Sequence, residues 1–469
     1  MGVSYIEYVR ERLNNTFDIK YRELKWHDSN IYIVYVESLC DSKFISEYII
    51  APIMTRGEEY DNVDDIKGRV IVSNSIAEVK CKEEIITNIL TANAVIIFDD
   101  INRCLCCEVK GFTKRAIDIP ITETVIKGPR EGFSENIQDN ISAIRRRIKS
   151  ANLKIESVIL GKESKTTVAI FYMEDKAPEK LIKTVRDKIN DISRNFKDEF
   201  IFDISSIEEG LRNKGTAFDT IGYTEKPDVA ASKISEGRVL VMADGGSFAI
   251  TAPYFFIENF QTTDDYTLNK YMANMARFLR WFSFGISTLL PGIYIALVTY
   301  HFKLVPSTFL LRMAVFRAGV PVPTVVELLY MIIFFQIIRE AGVRLPQPIG
   351  PTLSIVGALI LGDAAVNSGL ASQVTVVVVA ITSLASYLVP KVYVAIFPWN
   401  ILIIIFSASL GLPGFYISFV LFVSHLASLT SCGYPYLYPL GTLRSFKYKD
   451  VIFRGDLDKI SSNIFSEED

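Results

Sequence analysis

The sequence predicts an α/β N-terminal region of two subdomains followed by an α-helical, multi-span membrane domain. Three observations predict it. Charge crowds into the first part of the 469-residue chain and thins out in the last. Short runs rich in β-branched and aromatic residues alternate with helix-periodic stretches up to about residue 275. Beyond that point, apolar runs of about bilayer length follow one another. The division this gives is a first soluble α/β subdomain over 1–120, a second over 121–275, a helical transmembrane domain over 276–443, and a short cytosolic tail over 444–469.

The charge balance is 50 Lys and Arg against 53 Asp and Glu. The soluble part is mildly acidic and the apolar part slightly basic. Neither carries the concentrated basic face that nucleic acid requires. The N-terminus, MGVSYIEYVRERLNN, has no apolar core of a secretory signal. The six cysteines (Cys40, Cys81, Cys104, Cys106, Cys107 and Cys432) show no framework spacing, so free thiols in a reducing compartment are expected. That places the polar region on the cytosolic side.

In the first subdomain, residues 31–37, 94–98 and 103–109 read as strands and 82–92 as a helix. The stretch IPITETVIKGPREGF, marked by Pro and Gly, reads as the boundary between the two subdomains. A helix follows, with Ser134 as its N-cap and Ile137, Ile141, Ile144 and Ile148 on one face. Arg145, Arg146 and Arg147 near its C-terminal end read either as a solvated helix end or as a contact with a partner subunit or anionic headgroups. NLKIESVIL and TTVAIFYME form a hairpin around GKESK. That loop is no P-loop, because the upstream glycine is missing and Glu163 stands where Ser or Thr is needed. A second hairpin is predicted at RVLVMADGGSFAITA, with Asp244-Gly245-Gly246 as its turn.

Enzyme chemistry finds little support. There are three histidines (His27, His301, His425), and HExxH and GxSxG are absent. No catalytic group, cofactor or metal site is predicted. Cys104, Cys106 and Cys107 lie in a strand whose alternation turns Cys107 away from its neighbours. GPREGFSE, with Arg130, reads either as an anion site at a helix start or as a plain cap.

Spans are predicted at 281–300 (containing Pro291), 324–340 (containing Glu327 and Gln336), 349–368 and 373–390, with 301–323 as a connector. After Lys391 no charged residue occurs until Arg444, a gap of 52 residues that Gly411-Leu412-Pro413-Gly414 splits into 392–410 and 415–430. These halves are short, so either is a full crossing or a re-entrant piece. The basic residues set the orientation with the N-terminal region inside, although the 301–323 connector runs against the rule.

Within the third span, Gly350, Ser354, Ala358 and Gly362 recur every four residues, a small-residue stripe suited to close helix packing. Asp363 and Asn367 lie one turn apart on the neighbouring face. With Glu327 and Gln336, they are the candidate pore or intramembrane polar residues. Asp363 faces either a partner or water path, or the membrane interface. Pro346, Pro348 and Pro351 make a stiff approach to this span.

Four blocks resemble a known family: GPREGFSENIQDNISAIRRRIKSANLKIESVILGKESKTTVAIFYMED, TEKPDVAASKISEGRVLVMADGGSFAITAPYFFIENFQTTDDY, PTVVELLYMIIFFQIIREAGVRLPQPIGPTLSIVGALILGDAAV and SCGYPYLYPL. Over residues 85–445 the chain resembles the spore germinant receptor A subunits, the GerA family. The resemblance implies a germination protein of the endospore inner membrane with its N-terminal region in the core compartment. It implies a transporter-like B subunit that holds the nutrient site and a lipoprotein C subunit as partners. It also implies assembly of A subunits, in contact with membrane lipid, into a ring with a central ion pore. A related sporulation-stage channel of the SpoVAF type and a secondary transporter are the alternatives.

Overall fold

A computed structural model describes residues 4–27, 29–111, 123, 125–195, 204–344, 350–440, 450–455 and 465. Helix α1 (Tyr5–Arg12) leads into a five-stranded sheet of β1 (Ile19–Trp26), β2 (Ser29–Val36), β3 (Ile76–Val79), β4 (Asn93–Phe98) and β5 (Arg103–Glu108), with α2 (Lys82–Leu90) packed against it. Its strand order is β1-β2-β4-β5-β3, and every neighbour is antiparallel. Ala94 to Phe98 and Cys104 to Cys107 are buried on both faces of the sheet. The predicted alternation at the cysteines is real, but both faces are core. Burial pushes the thiols of Cys40, Cys104 and Cys107 up to about 12 and that of Cys106 to about 11, so they stay protonated and inert.

The second sheet has the order β6-β7-β9-β10-β8, formed by β6 (Leu153–Leu160), β7 (Thr166–Met173), β8 (Gly222–Thr224), β9 (Val239–Ala243) and β10 (Ala249–Ala252). It too is antiparallel throughout. Both predicted hairpins are present, and Gly245 takes the positive φ of 86° that the second turn demands. The period of two is plain in β9. Leu240 and Met242 pack with Ile141, Ile144, Ala230 and Ile234 from α3 (Ile137–Arg147) and α6 (Pro227–Ser235). Val239, Val241 and Ala243 pack with Leu181, Val185, Ile189 and Ile207 from α4 (Glu179–Asn195) and α5 (Ile204–Leu211) on the other face. The sheet is therefore sandwiched between two pairs of helices.

Ile137, Ile141, Ile144 and Ile148 are all buried as the periodicity predicts. The N-cap is Asn136, whose side chain accepts from Gln138 N at 2.8 Å, and not Ser134. Ser134 instead donates its backbone N–H to Asn140 Oδ1. The anion position at this helix start is filled by the protein itself, since Ile137 N donates to the Asp244 carboxylate at 3.1 Å. The residues before β1 cross into the second unit, where Phe17 N donates to Ile155 O at 3.1 Å and Thr16 bridges Ile155.

The helical region comprises α7 (Lys270–Thr299), α8 (Ser307–Arg317), α9 (Thr324–Arg344), α10 (Gly350–Asn367), α11 (Gln373–Tyr387), α12 (Tyr393–Leu410) and α13 (Leu412–Ser428). All six predicted spans are helices. The connector 301–323 also contains one, α8, which sequence reading missed. Lys270–Thr299 and Pro390–Leu410 are long and apolar enough to cross a membrane, while Gln373–Tyr387 and Leu412–Ser428 are apolar but shorter. Gly411, at φ 70°, turns α12 into α13. The chain then runs back to the second unit. Ser431 Oγ donates to Thr220 O and accepts from Tyr254 N, and Phe256 N donates to Tyr436 O at 2.9 Å. Phe218, Phe256, Phe260, Phe422 and Tyr436 fill this seam with aromatic rings.

Candidate functional site: polar groups among the apolar helices

Burying a polar or charged group among apolar helices is costly unless it is paired, so such groups mark the places to look for function. A dense cluster lies where the sheet units meet α7. The Arg277 guanidinium is fully buried, donating to Asp265 at 2.9 Å and to the Asp450 carboxylate. Arg280 donates to the same Asp265 at 2.6 Å, and the Tyr266 hydroxyl donates to Asp450 at 2.6 Å. Arg454 donates to the carbonyls of Asp265 and Leu268 at 2.6 and 2.9 Å. Burial pushes the Asp265 carboxyl up, but Arg280 and Arg277 outweigh it and hold the group below its usual range. At Asp450 burial prevails over Arg277, and the carboxyl is raised.

A second charged knot lies beside it. Glu258 accepts from Arg238 at 2.6 Å, from Lys233 at 2.9 Å and from Phe255 N at 2.8 Å. Burial opposes its charge, yet Arg238 and Lys233 pull its carboxyl down to about 2.

The structure does not bring the four sequence-predicted polar residues together. Glu327, on α9, is fully buried. Its Oε1 accepts from the backbone N–H of Ser372, and its Oε2 has no partner. Gln336 lies farther along the same helix and lines a cavity of about 40 Å³ with Ser287, Arg339, Ser386 and Asn400. There Arg339 donates to Ser386 Oγ at 2.8 Å and lies over the ring of Tyr393. Asp363 and Asn367 are exposed on α10, outside this chain's own bundle.

The small-residue stripe is visible only in part. The side chains of Gly350, Ser354 and Ala358, and the prolines at 346 and 348, lie outside the described residues. A Cβ on Gly362 would touch Val376 of α11 at 3.6 Å, an ordinary packing distance. A tighter interhelical approach lies elsewhere in the helical region. A Cβ on Gly292 of α7 would sit 2.4 Å from Ile403 Cγ2 of α12.

Sequence reasoning missed the contact between Glu327 and Ser372 and the whole Arg277 cluster. Hydroxyl residues at isolated positions in apolar runs carry a weak signal for the first. The second joins residues far apart in sequence and leaves no local pattern. Of Arg145 to Arg147 only Arg145 is internal, while Arg146 is exposed and Arg147 half-buried. Arg145 pairs with Asp18, and Arg146 and Arg147 pair with Glu131. Arg146 and Arg147 thus sit at a partly solvated helix end, engaged by Glu131.

A family model described as Bacillus/Clostridium GerA spore germination protein matches residues 7–463. The chain is 34% identical over 458 residues to spore germination protein KA of Bacillus subtilis (strain 168), covering 96% of this chain and 83% of that protein. It is 32% identical to spore germination protein GerLA of Bacillus cereus, covering 95% and 91% of the two chains. Among solved structures, the N-terminal domain of the A subunit of the Bacillus megaterium spore germinant receptor GerK3 aligns with a TM-score of 0.40 at 25% identity, over 54% of this chain and 94% of that one.

Proposed function

The chain belongs to the GerA family of spore germination proteins, and we propose that it is an A-type subunit of a nutrient-responsive germinant receptor. Its place is the spore inner membrane, with the two sheet units on the core side. Copies assemble through the helical region into a cation channel, alongside a transporter-like B subunit and a lipoprotein C subunit. Nutrient binding elsewhere in the complex shifts the helices between closed and open arrangements.

The observation that carries this reading is the exposed position of Asp363 on an apolar helix. A carboxylate against lipid is costly, so this face meets another protein surface or a water-filled path. A ring of such carboxylates favours cations. Asp363→Asn keeps the size and removes the charge. It is expected to slow cation release from germinating spores at normal subunit abundance, and Asp363→Leu to slow it further. Normal release by both variants would remove Asp363 from the conduction path.

A further inference from the structure

We propose that Glu327, Ser372, Thr375 and Tyr294 form a binding site for a single dehydrated monovalent cation between α7, α9 and α11. The inference rests on the reading of this region as a membrane domain, and it adds a site that the channel reading does not require.

The hydrogen bonding of Glu327 is out of balance. Glu327 is completely buried, and its Oε2 makes no hydrogen bond. An isolated buried carboxylate is among the costliest groups a protein can hold, and each unsatisfied one calls for a cause. No ion pair reaches Glu327 among the described residues. Arg317, at the end of α8, has a buried Nε that is likewise unpartnered. The two charges are not joined.

The surroundings supply oxygen and little else that is polar. Ser372 Oγ donates to Thr375 Oγ1 at 3.0 Å, and Tyr294 OH lies 2.9 Å from that same Thr375 oxygen. Ser372 is tied to Glu327 by its backbone N–H. Three linked hydroxyl oxygens, from α7 and from the start of α11, thus adjoin the backbone N–H that reaches the Glu327 carboxylate on α9. Around them lie Leu328, Met331, Ala365, Ala371 and Val379, all buried. Hard cations take oxygen ligands, whereas nitrogen and sulfur donors would be needed to select a softer metal. One carboxylate with neutral hydroxyls balances a single positive charge. A divalent ion would leave a net charge in an apolar shell.

The site also sits where occupancy would matter mechanically. Ser372 caps α11 through its side chain, accepting from Thr375 N at 3.3 Å. An ion held there would pin the start of α11 to α7 and α9, and its loss would release all three.

The test uses the full chain, purified in detergent. Thermal unfolding is followed in sodium, potassium or the bulky cation N-methylglucamine at constant ionic strength and pH. Wild type is expected to gain about 3 °C in a small alkali cation at a hundredfold excess over its Kd. Glu327→Gln should abolish the dependence, and Thr375→Val should shift the titration midpoint about tenfold, as for the loss of roughly one ligand contact. If Glu327→Gln does not accumulate, Thr375→Val decides. Identical unfolding of wild type in all three cations overturns the proposal and leaves the charge neutralised by a proton. Retained dependence in Glu327→Gln overturns it too, since the ion then binds elsewhere. Cation flux through vesicles separates this from the channel reading. Wild type that conducts but unfolds identically in all three cations sinks the site alone, and wild type that shows the cation dependence without flux sinks the channel alone.

Discussion

Arg145 on α3 and Asp18 ahead of β1 form a two-pronged ion pair, with contacts of 2.9 and 3.1 Å, and both side chains are essentially fully buried. The pair locks the first sheet unit to the second. Lys154, also buried, reinforces it by donating to Asn14 Oδ1 at 2.7 Å. Removing one member of a buried pair strands the other. Asp18→Ala is therefore expected to cost about 3–5 kcal/mol, seen as a lower unfolding midpoint of the full chain. The double variant Asp18→Leu with Arg145→Met should recover most of that loss. An Asp18→Ala midpoint equal to wild type would mean that the pair does not hold the units together.

Glu258 gives the protein a defined acid sensitivity. Its carboxyl is held at about 2 in the folded state, against a reference of 4.5 when unfolded. A depressed value contributes stability above the unfolded pKa and loses it as pH falls through the folded one. The contribution, on the order of 3 kcal/mol, should be whole at neutral pH and fade between about pH 4.5 and 2. Glu258→Gln should lower the unfolding midpoint at pH 7 and converge with wild type near pH 2 to 3. Parallel curves across that range would contradict the assignment.

Gly292 of α7 packs against Ile403 of α12 with no room for a Cβ. Gly292→Leu should force Ile403 aside and cost about 1–3 kcal/mol or more, read as reduced membrane abundance. Gly285→Ala, on the same helix, is the control, because nothing lies within 4 Å of a Cβ there. Equal abundance of both variants would show that the helices tolerate separation.

Ala358→Leu addresses contact between copies. If α10 packs against a neighbouring subunit through its small-residue stripe, the bulkier side chain should reduce cross-linking of the A chain in membranes. Undiminished cross-linking would take the stripe out of that interface.

Much of the architecture was legible because it follows from period and composition. β9 reads as a strand whose alternate residues enter two separate cores, and α3 reads as a helix from its four isoleucines. The six apolar runs are helices for the same reason. The cap of α3 was misplaced by two residues because Ser134 and Asn136 are both competent caps, and only the approach of Asp244 from a distant turn decides between them. The burial of Arg145 could not be read, since Asp18 is 127 residues away. α8 was missed because Pro306 and Gly319 frame a segment whose apolar residues surround it without a face; Met313 is its one buried side chain. Glu327 stood out as a carboxylate in an apolar run, but its hydroxyl neighbours arrive from two other helices.

The clamp around Arg277 has a mechanical consequence. The helical region begins at α7, and the chain that leaves it returns to the same point, where Asp450 and Arg454 grip the base of α7. The first helix is thus held at its root by both the segment that precedes it and the tail that follows the last. A lever fixed in this way has no slack. Any rotation of the sheet units is delivered to α7 as torque rather than absorbed by a linker, and α7 passes it directly to α12 through the close approach at Gly292.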